Sequence, residues 1–242
     1  MTRLSVNVNK VATLRNARGK DLPNVLSESL KIIEFGAQGI TVHPRPDGRH
    51  IRWPDVVELK ENISVELNIE GFPESHFLEK VGQIKPDQCT LVPDPPEVLT
   101  SNAGWRMEGN EEILKKAITC LKEKDIRVSL FVDPNEIQMK ELISMRDLGV
   151  DRIELYTESF ADAFKQGHQE EEIKAYQKCA KLADSMGMKV NAGHDLNLHN
   201  LSFFNDNIPE LVEVSIGHAL VCDALNEGWK TTIGQYLDCL KS

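Results

Sequence analysis

Short apolar, β-branched runs recur along the chain, and longer segments in which apolar residues return every three or four positions lie between them. The runs are LSVNV (4–8), GITVH (39–43), SVELNIE (64–70), CTLVP (89–93), RVSLFVD (127–133), RIELY (152–156), KVNAGH (189–194) and EVSIG (213–217). Each reads as a strand. The stretches NVLSESLKIIEFGA, EEILKKAITCLKEKD, PNEIQMKELISMRDLG and EEEIKAYQKCAKLADSMG read as amphipathic helices. Glycine closes several of them just before the next strand, in EFGAQGI, DLGVDRI and SMGMKV, which is the helix-ending signal of a βα repeat. Strands that alternate with helices pair in parallel. No Gly/Ser-rich or Pro-rich linker divides the chain, and neither GxGxxG nor GxxxxGK[S/T] follows the first strand, so an open nucleotide-binding sheet lacks its signature. The expectation is therefore α/β: eight parallel strands closed into a (β/α)8 TIM barrel, a single domain over 1–242.

Composition narrows the function classes. The 242 residues are 40% hydrophobic and 27% charged, and no apolar run approaches the ~20 residues needed to cross a bilayer. The first residues enter a strand-like segment without a signal-peptide pattern, so a cytoplasmic address is expected. Five widely spaced cysteines without a CxxC pair suggest reduced thiols rather than a disulfide framework or zinc knuckle. A net charge of −10 opposes binding to a phosphate backbone, so nucleic acid is not an expected partner. Small anionic substrates need only a local cluster of donors.

In a parallel barrel, the C-terminal ends of the strands converge on one mouth, where such enzymes work. Ionisable and polar residues gather at those ends: Asn7, Asn9 and Lys10 after the first strand, His43 after the second, Glu70 after the third, Glu154 in the sixth, His194 after the seventh, and Gly217 with His218 after the eighth. The strand beginnings look less consistently polar. His43 alone could be a hydrogen-bonded rim histidine. Glu70 shares its strand with Glu66 and Asn68 at even spacing, a polar stripe that must be paired or in use inside a barrel. His194 and His218 each follow a glycine, which leaves room for a ligand or another backbone. A carboxylate among imidazoles suits proton transfer near neutral pH, and it also suits a divalent metal. Spacing does not separate the two, although no HExxH-type motif favours metal.

Arg15, Arg18, Arg45, Arg49 and His50 crowd the loops after the first two strands, as a phosphate clasp would. The alternative is a solvated salt-bridging surface. SIGHAL offers backbone N–H groups after the eighth strand for a second phosphate. The proline-rich segment PDPPEVLTSNAGWRMEGN (93–110) reads as a lid or as a plain connector.

The segments VNVNKVATLRNARG (6–19), GITVHPRPDGRHI (39–51), LNIE (67–70), TLVPD (90–94), KVNAGHDL (189–196) and SIGHAL (215–220) resemble, in order and over nearly the whole chain, the pyridoxine 5'-phosphate synthase family. The resemblance implies condensation of 1-deoxy-D-xylulose 5-phosphate with 3-amino-2-oxopropyl phosphate to pyridoxine 5'-phosphate, inorganic phosphate and water, with no metal or organic cofactor. It also implies extra helices on the barrel and a homo-octamer. By the family pattern, His43 and Glu70 look like general bases, His194 like a general acid and Glu154 like a stabiliser of charged intermediates. Arg45, His50 and Thr100 resemble contacts to the pentulose phosphate; Asn7, Arg18, Gly217 and His218 resemble contacts to the amino-ketone phosphate.

Three departures from the familiar pattern stand out. Asn9-Lys10 replaces Asp-His, Asp195 replaces the second glycine of Gly-His-Gly, and Tyr156-Thr157-Glu158 replaces His-Thr-Gly. An aspartate beside a bound phosphate repels it unless paired, so Lys10 and Asp195 are expected to compensate each other across the mouth as further substrate-binding residues. Two rival readings are a metal-dependent sugar-phosphate isomerase or epimerase, with His43, Glu70 and His194 as ligands, and a non-catalytic phosphometabolite sensor.

Overall fold

The computed structural model describes residues 1–93 and 104–241. Eight parallel strands close into a barrel in chain order: β1 (Arg3–Asn7), β2 (Gly39–Val42), β3 (Glu66–Gly71), β4 (Gln88–Leu91), β5 (Arg127–Val132), β6 (Arg152–Tyr156), β7 (Lys189–Gly193) and β8 (Leu211–Ile216). Closure is made by β1 lying beside β8, with Arg3 opposite Glu213 and Val6 opposite Ile216. All eight expected strands are present, displaced by two residues or fewer at either end.

Among the described residues the helices are α1 (Asn9–Asn16), α2 (Val25–Glu34), α3 (Trp53–Asn62), α4 (Ser75–Ile84), α5 (Glu111–Lys122), α6 (Met139–Asp147), α7 (Glu158–Gln166), α8 (Gln169–Ser185), α9 (Leu201–Asn207), α10 (His218–Glu227) and α11 (Trp229–Asp238). The connections after β1 and β6 and the chain after β8 each carry two, which accounts for the extra helices. Only the second part of the stretch expected to be helical from Pro134 is α6. Asp133 instead accepts the Asn135 N–H at 2.9 Å on its carboxylate and holds a turn, and the helix starts after Gln138, whose N–H donates to Glu141. Gly36, Gly149 and Gly187 follow α2, α6 and α8 at positive φ, as their place before a strand predicts.

Alternate residues of each strand face the helices or the barrel interior. The outward set, such as Leu4, Val6, Ile40, Val42, Leu67 and Ile69, is fully buried and forms one continuous apolar annulus with the helices. The inward set is almost entirely polar. In place of the branched apolar layers that commonly fill such barrels, the interior carries Ser5, Thr41, Asn68, Thr90, Ser129 and Asn191, all buried. Most of them are paired: the Ser5 and Thr41 hydroxyls lie 2.8 Å apart, the Thr90 hydroxyl donates to Asn68 at 3.1 Å, and Asn191 donates to Glu213 at 3.3 Å, while the Ser129 hydroxyl has no partner among the described residues. Val92, Phe131 and Tyr156 are inward exceptions near the mouth and form a small apolar cluster apart from the main core.

The strand beginnings are as polar as the ends, contrary to expectation. There the barrel is plugged by ions. Arg3 donates to both oxygens of Glu66 at 2.8 and 3.0 Å and to Glu213 at 2.8 Å; Arg127 also donates to Glu66, and at 2.9 Å to Gln88. Arg152 lies 3.7 Å from Glu213 and donates to Asn191 at 3.2 Å. The stripe on β3 thus divides by depth: Glu66 is an ion-pair centre, Asn68 a link in the interior network, and Glu70 reaches the mouth.

Among the described residues no helix is long and apolar enough to cross a membrane.

Removing the Glu66 carboxylate leaves two arginines facing each other, so Glu66→Ala should cost about 3 kcal/mol in urea unfolding. Burial opposes ionisation of Glu66, but hydrogen bonds from Arg3 and Arg127 outweigh it and hold its pKa at about 2, below the ordinary 4.5. The stabilisation is therefore full above 4.5 and is lost as pH falls through about 2. Acid titration of unfolding should show this component in the parent chain and not in the variant.

Candidate active site

The mouth at the C-terminal ends of the strands opens into a cavity of about 410 Å³. Twelve of the sequence-predicted site residues line it: Asn7, Asn9, Lys10, His43, Arg45, His50, Glu70, Glu154, His194, Asp195, Gly217 and His218. Thr100 and most of the 93–110 segment lie outside the described residues. Arg18 does not line the cavity. The chain leaves α1 through a turn that ends at Gly19, with φ 64°, and this turn sets Arg18 on the exposed surface.

The arginine cluster also resolves differently from a four-membered clasp. Arg15 is buried and makes a bidentate pair with Asp55; it also donates to the His50 carbonyl at 3.3 Å. Asn16 donates to the same carbonyl at 2.8 Å. These two residues of α1 therefore latch the loop that carries His50. Arg49 pairs with Asp47. Arg45 is the member of the cluster that reaches the cavity, beside His50, whose buried Nδ1 has no hydrogen-bond partner among the described residues.

Hydrogen bonds from the first loop position the second and third strand ends. The Asn7 side chain accepts the Asn9 N–H at 3.0 Å and donates to Glu70 at 3.3 Å, while Asn9 accepts the His43 N–H at 2.9 Å. His43 Nδ1 and the Glu70 carboxyl lie 4.0 Å apart, close enough to share a proton through a small shift but beyond a hydrogen bond. The two glycines fill the role their place suggested. A Cβ on Gly193 would stand 2.7 Å from Glu154 Oε1 and 2.8 Å from the Ser215 carbonyl, and one on Gly217 would stand 3.1 Å from Asn7 Cβ. Gly217 also caps α10, so the N-terminus of that helix, with His218 as its first residue, borders the cavity.

The environments drive the titrating groups apart. Burial, with the nearby Arg45 and His50 charges, lowers the His43 pKa to about 3, and burial with Arg45 and Lys10 lowers that of His50 to about 4. Both imidazoles are neutral at neutral pH. Glu70 is pushed well above the ordinary carboxylate range by burial and by Glu154; Glu154 itself is raised to about 7 by burial and by Glu213. Burial also works against a charge on His194, but the hydrogen bond and charge of Asp195, with Glu158 and Glu154 behind them, overcome it and raise its pKa above the ordinary value. One cavity thus holds imidazoles on β2 and its loop that burial keeps neutral, an imidazole after β7 whose acidic neighbours favour its protonated form, and two carboxyls with raised pKa values. Unequal surroundings of this kind are what acid and base chemistry within one cavity requires.

Three lining residues were not foreseen: Val92, Phe131 and Ser215. Even spacing could have found Ser215, midway between Glu213 and Gly217 on β8. The expected Lys10–Asp195 pairing is absent. Asp195 bonds instead to its neighbour His194, Oδ2 to Nδ1 at 2.6 Å, whereas Lys10 is exposed and makes no hydrogen bond or ion pair among the described residues. No group of three or more His, Cys, Asp or Glu side chains among the described residues is arranged to hold a metal ion.

The sequence profile of the family described as "Pyridoxal phosphate biosynthesis protein PdxJ" matches residues 4–242. The chain belongs to the PdxJ family. Relatives named pyridoxine 5'-phosphate synthase include that of Christiangramia forsetii, 52% identical over 242 residues and all of both chains, and that of Porphyromonas gingivalis, 50% identical over 240 residues and 99% of each. The barrel superposes on 3-hexulose-6-phosphate synthase from Salmonella typhimurium with a TM-score of 0.68 at 10% identity, covering 99% of this chain and 98% of that one. A tryptophan synthase chain from M. tuberculosis gives 0.68 at 12% identity, covering 100% and 93%. At such identities these two likenesses concern the fold. In this PdxJ chain the residues read from the sequence as departures lie together: Asn9, Lys10 and Asp195 line the cavity, and the Tyr156–Glu158 segment stands directly behind it.

Nitrogen NMR should find the His43 imidazole neutral at every pH above about 3, and carboxyl infrared spectroscopy should find a band titrating near 7 that disappears in Glu154→Gln. A His43 midpoint close to the ordinary 6.5 would contradict the electrostatics described above.

Proposed function

We propose that the chain is a pyridoxine 5'-phosphate synthase, a ring-closing transferase acting by general acid and base catalysis in one domain spanning 1–242. It condenses 1-deoxy-D-xylulose 5-phosphate with 3-amino-2-oxopropyl phosphate, releasing inorganic phosphate and water. The observation that carries this reading is the unequal surroundings within one cavity: His43, 4.0 Å from Glu70, has its pKa lowered by burial, whereas against its burial the Asp195 carboxylate, 2.6 Å from Nδ1, raises that of His194. The chemistry needs both. An amine must add to a ketone, protons must leave nitrogen and carbon, and oxygen leaving groups must be protonated before the ring can aromatise.

Neutral His43, with Glu70 when ionised, takes protons from the substrates. His194 gives a proton to the departing oxygen. Glu154 can be charged or neutral near pH 7 and steadies a cationic intermediate in its ionised form. Arg45 and the unpartnered Nδ1 of His50 suit the pentulose phosphate, with Thr100 as a further contact. The N-terminus of α10, Gly217 and His218, with Asn7 below them, suits the amino-ketone phosphate. Asn9 shapes this side of the cavity through its bond to His43 N–H, and Lys10 contributes a positive charge over the mouth. No metal ion or organic cofactor enters this scheme. The metal-dependent isomerase and the non-catalytic sensor have no observation in their favour.

For assembly we propose the homo-octamer. It is supported by a groove of about 460 Å³ between α1 and α10, where Leu14 is 54% and Leu225 71% exposed. Five free thiols suit the reducing cytoplasm.

Mixing the purified protein with the two phosphates should release inorganic phosphate and a product absorbing as a pyridine; well-folded protein yielding neither would refute the synthase. His43→Ala and Glu70→Gln should each lower kcat about 100-fold with KM changed less than about threefold. Arg45→Ala should raise KM for the pentulose phosphate about tenfold, because it removes a charge-assisted contact. Sedimentation velocity should give a species of eight chains, and a monomer at micromolar concentration would dismiss the octamer.

A further inference from the structure

The turn after β7 is unusually well determined for a loop. Thr157, buried behind it, donates its hydroxyl to the Gly193 carbonyl at 2.9 Å and accepts the Asp195 N–H at 3.1 Å. The Asp195 carbonyl in turn accepts from the side chains of Asn197 at 3.2 Å and Asn200 at 3.3 Å. Between these anchors His194 is held at φ 103°, a conformation that side chains other than glycine rarely adopt. In extended backbone, successive side chains point to opposite sides. The turn at His194 instead lets the carboxylate of Asp195 fold back onto Nδ1 of the preceding imidazole, at 2.6 Å. The ring of Tyr156 meets the same imidazole edge-on with centroids 5.3 Å apart, and its hydroxyl donates to Glu158. With Nδ1 engaged and the ring flanked, Nε2 is the nitrogen left for a ligand.

We propose that Asp195 is a positioning residue for the condensation: its carboxylate holds a proton on Nδ1 of His194, so that Nε2 is the nitrogen that delivers protons to leaving oxygen. This rests on the reading of His194 as the acid in the synthase reaction. In the step itself, the Nε2–H bond breaks as the proton passes to the departing hydroxyl or phosphate oxygen. The neutral imidazole left behind keeps Nδ1–H on Asp195. A proton released from the substrate amine or carbon later in the cycle restores Nε2–H, so the balance closes without an outside acid.

The arrangement also answers how an aspartate can sit beside an anion-binding cavity. Its partner is the imidazolium next to it in sequence, and the pair is neutral overall while His194 holds its second proton. The charged groups facing His194 are Asp195 on its own turn, Glu154 from β6 and Glu158 from α7; Lys10 and His218 lie across the same cavity with His43 and Glu70. The near neighbours are acidic, so they favour the same protonated form. The imidazole and carboxylate side chains remain 32% and 38% exposed, so water weakens the pairing and the expected shift lies at the low end for an ion pair.

The test follows the His194 ring nitrogens by NMR against pH, with the resonances assigned by their loss in His194→Gln. The parent chain should titrate above the ordinary 6.5, with the neutral form carrying its proton on Nδ1. In Asp195→Ala the midpoint should fall by about one unit, and the proton should move largely to Nε2. The alkaline limb of kcat should move to lower pH by the same interval, because less of the acid remains protonated, while KM for either phosphate changes less than about threefold. Asp195→Glu should restore much of the midpoint. If the alanine variant does not fold, Asp195→Asn, which removes the charge and keeps the shape, carries the same midpoint measurement. A midpoint and tautomer unchanged by loss of the carboxylate overturn the proposal. Absence of turnover in the parent chain would instead count against the synthase reading, and the nitrogen titration would still decide whether Asp195 sets the state of His194.

Discussion

The structure depends on how a barrel with a polar interior is kept closed. Apart from the small cluster of Val92, Phe131 and Tyr156 near the mouth, apolar burial lies in the annulus between sheet and helices, so the lumen must satisfy most of its own donors and acceptors. At the strand beginnings this is done by the ions of Arg3, Glu66, Arg127, Arg152 and Glu213, and halfway up by the hydroxyl and amide chain through Thr41, Asn68 and Thr90. That lining continues into the mouth beside the Val92, Phe131 and Tyr156 cluster, and there Glu154 lies 3.4 Å from the Thr90 hydroxyl. The reactive groups are therefore the upper course of a polar column rather than an insertion into an apolar one. The layers beneath them are largely paired, with the Ser129 hydroxyl and the Arg152 Nε as exceptions among the described residues.

From this column follows the sorting of charge at the top. His43 is buried next to Arg45, and its proton is unwelcome; His194 stands on a partly open turn among Asp195, Glu158 and Glu154, which favour its protonated form. Two residues of the same type are thereby given opposite shifts in proton affinity by position alone. Glu70 and Glu154 repel each other across the lumen, which keeps a proton available between them. Proton transfer in this cavity needs no group with an unusual side chain, only unequal surroundings.

Much of this architecture was legible because it is periodic. All eight strands announced themselves by short apolar runs, and glycines such as Gly149 and Gly187 marked where helices yield to strands. The strand-end rule then brought twelve scattered residues to one cavity. What the sequence could not convey is which partner each charge takes. Arg15 and Arg49 read as ligands for phosphate, yet Asp55 lies forty positions from the one and Asp47 two from the other, and nothing in composition ranks those carboxylates against a substrate. Lys10 and Asp195 looked complementary for the same reason. The pairing of Asp195 with its immediate neighbour depends on a positive φ at a histidine, which no local pattern signals. The ionic plug was hidden likewise, because Arg3 and Glu213 sit at opposite ends of the chain and become adjacent only on closure.

The latch by which Arg15 and Asn16 seize the His50 carbonyl bears on how ligand encounter proceeds. A loop of proline, glycine and arginine would ordinarily lose considerable conformational freedom when it wraps an anion. Here that freedom has already been surrendered as the chain folds, and the loop bearing Arg45 and His50 is held in place at the cavity. Association on this side of the mouth can then be governed by diffusion and charge rather than by a search among loop shapes.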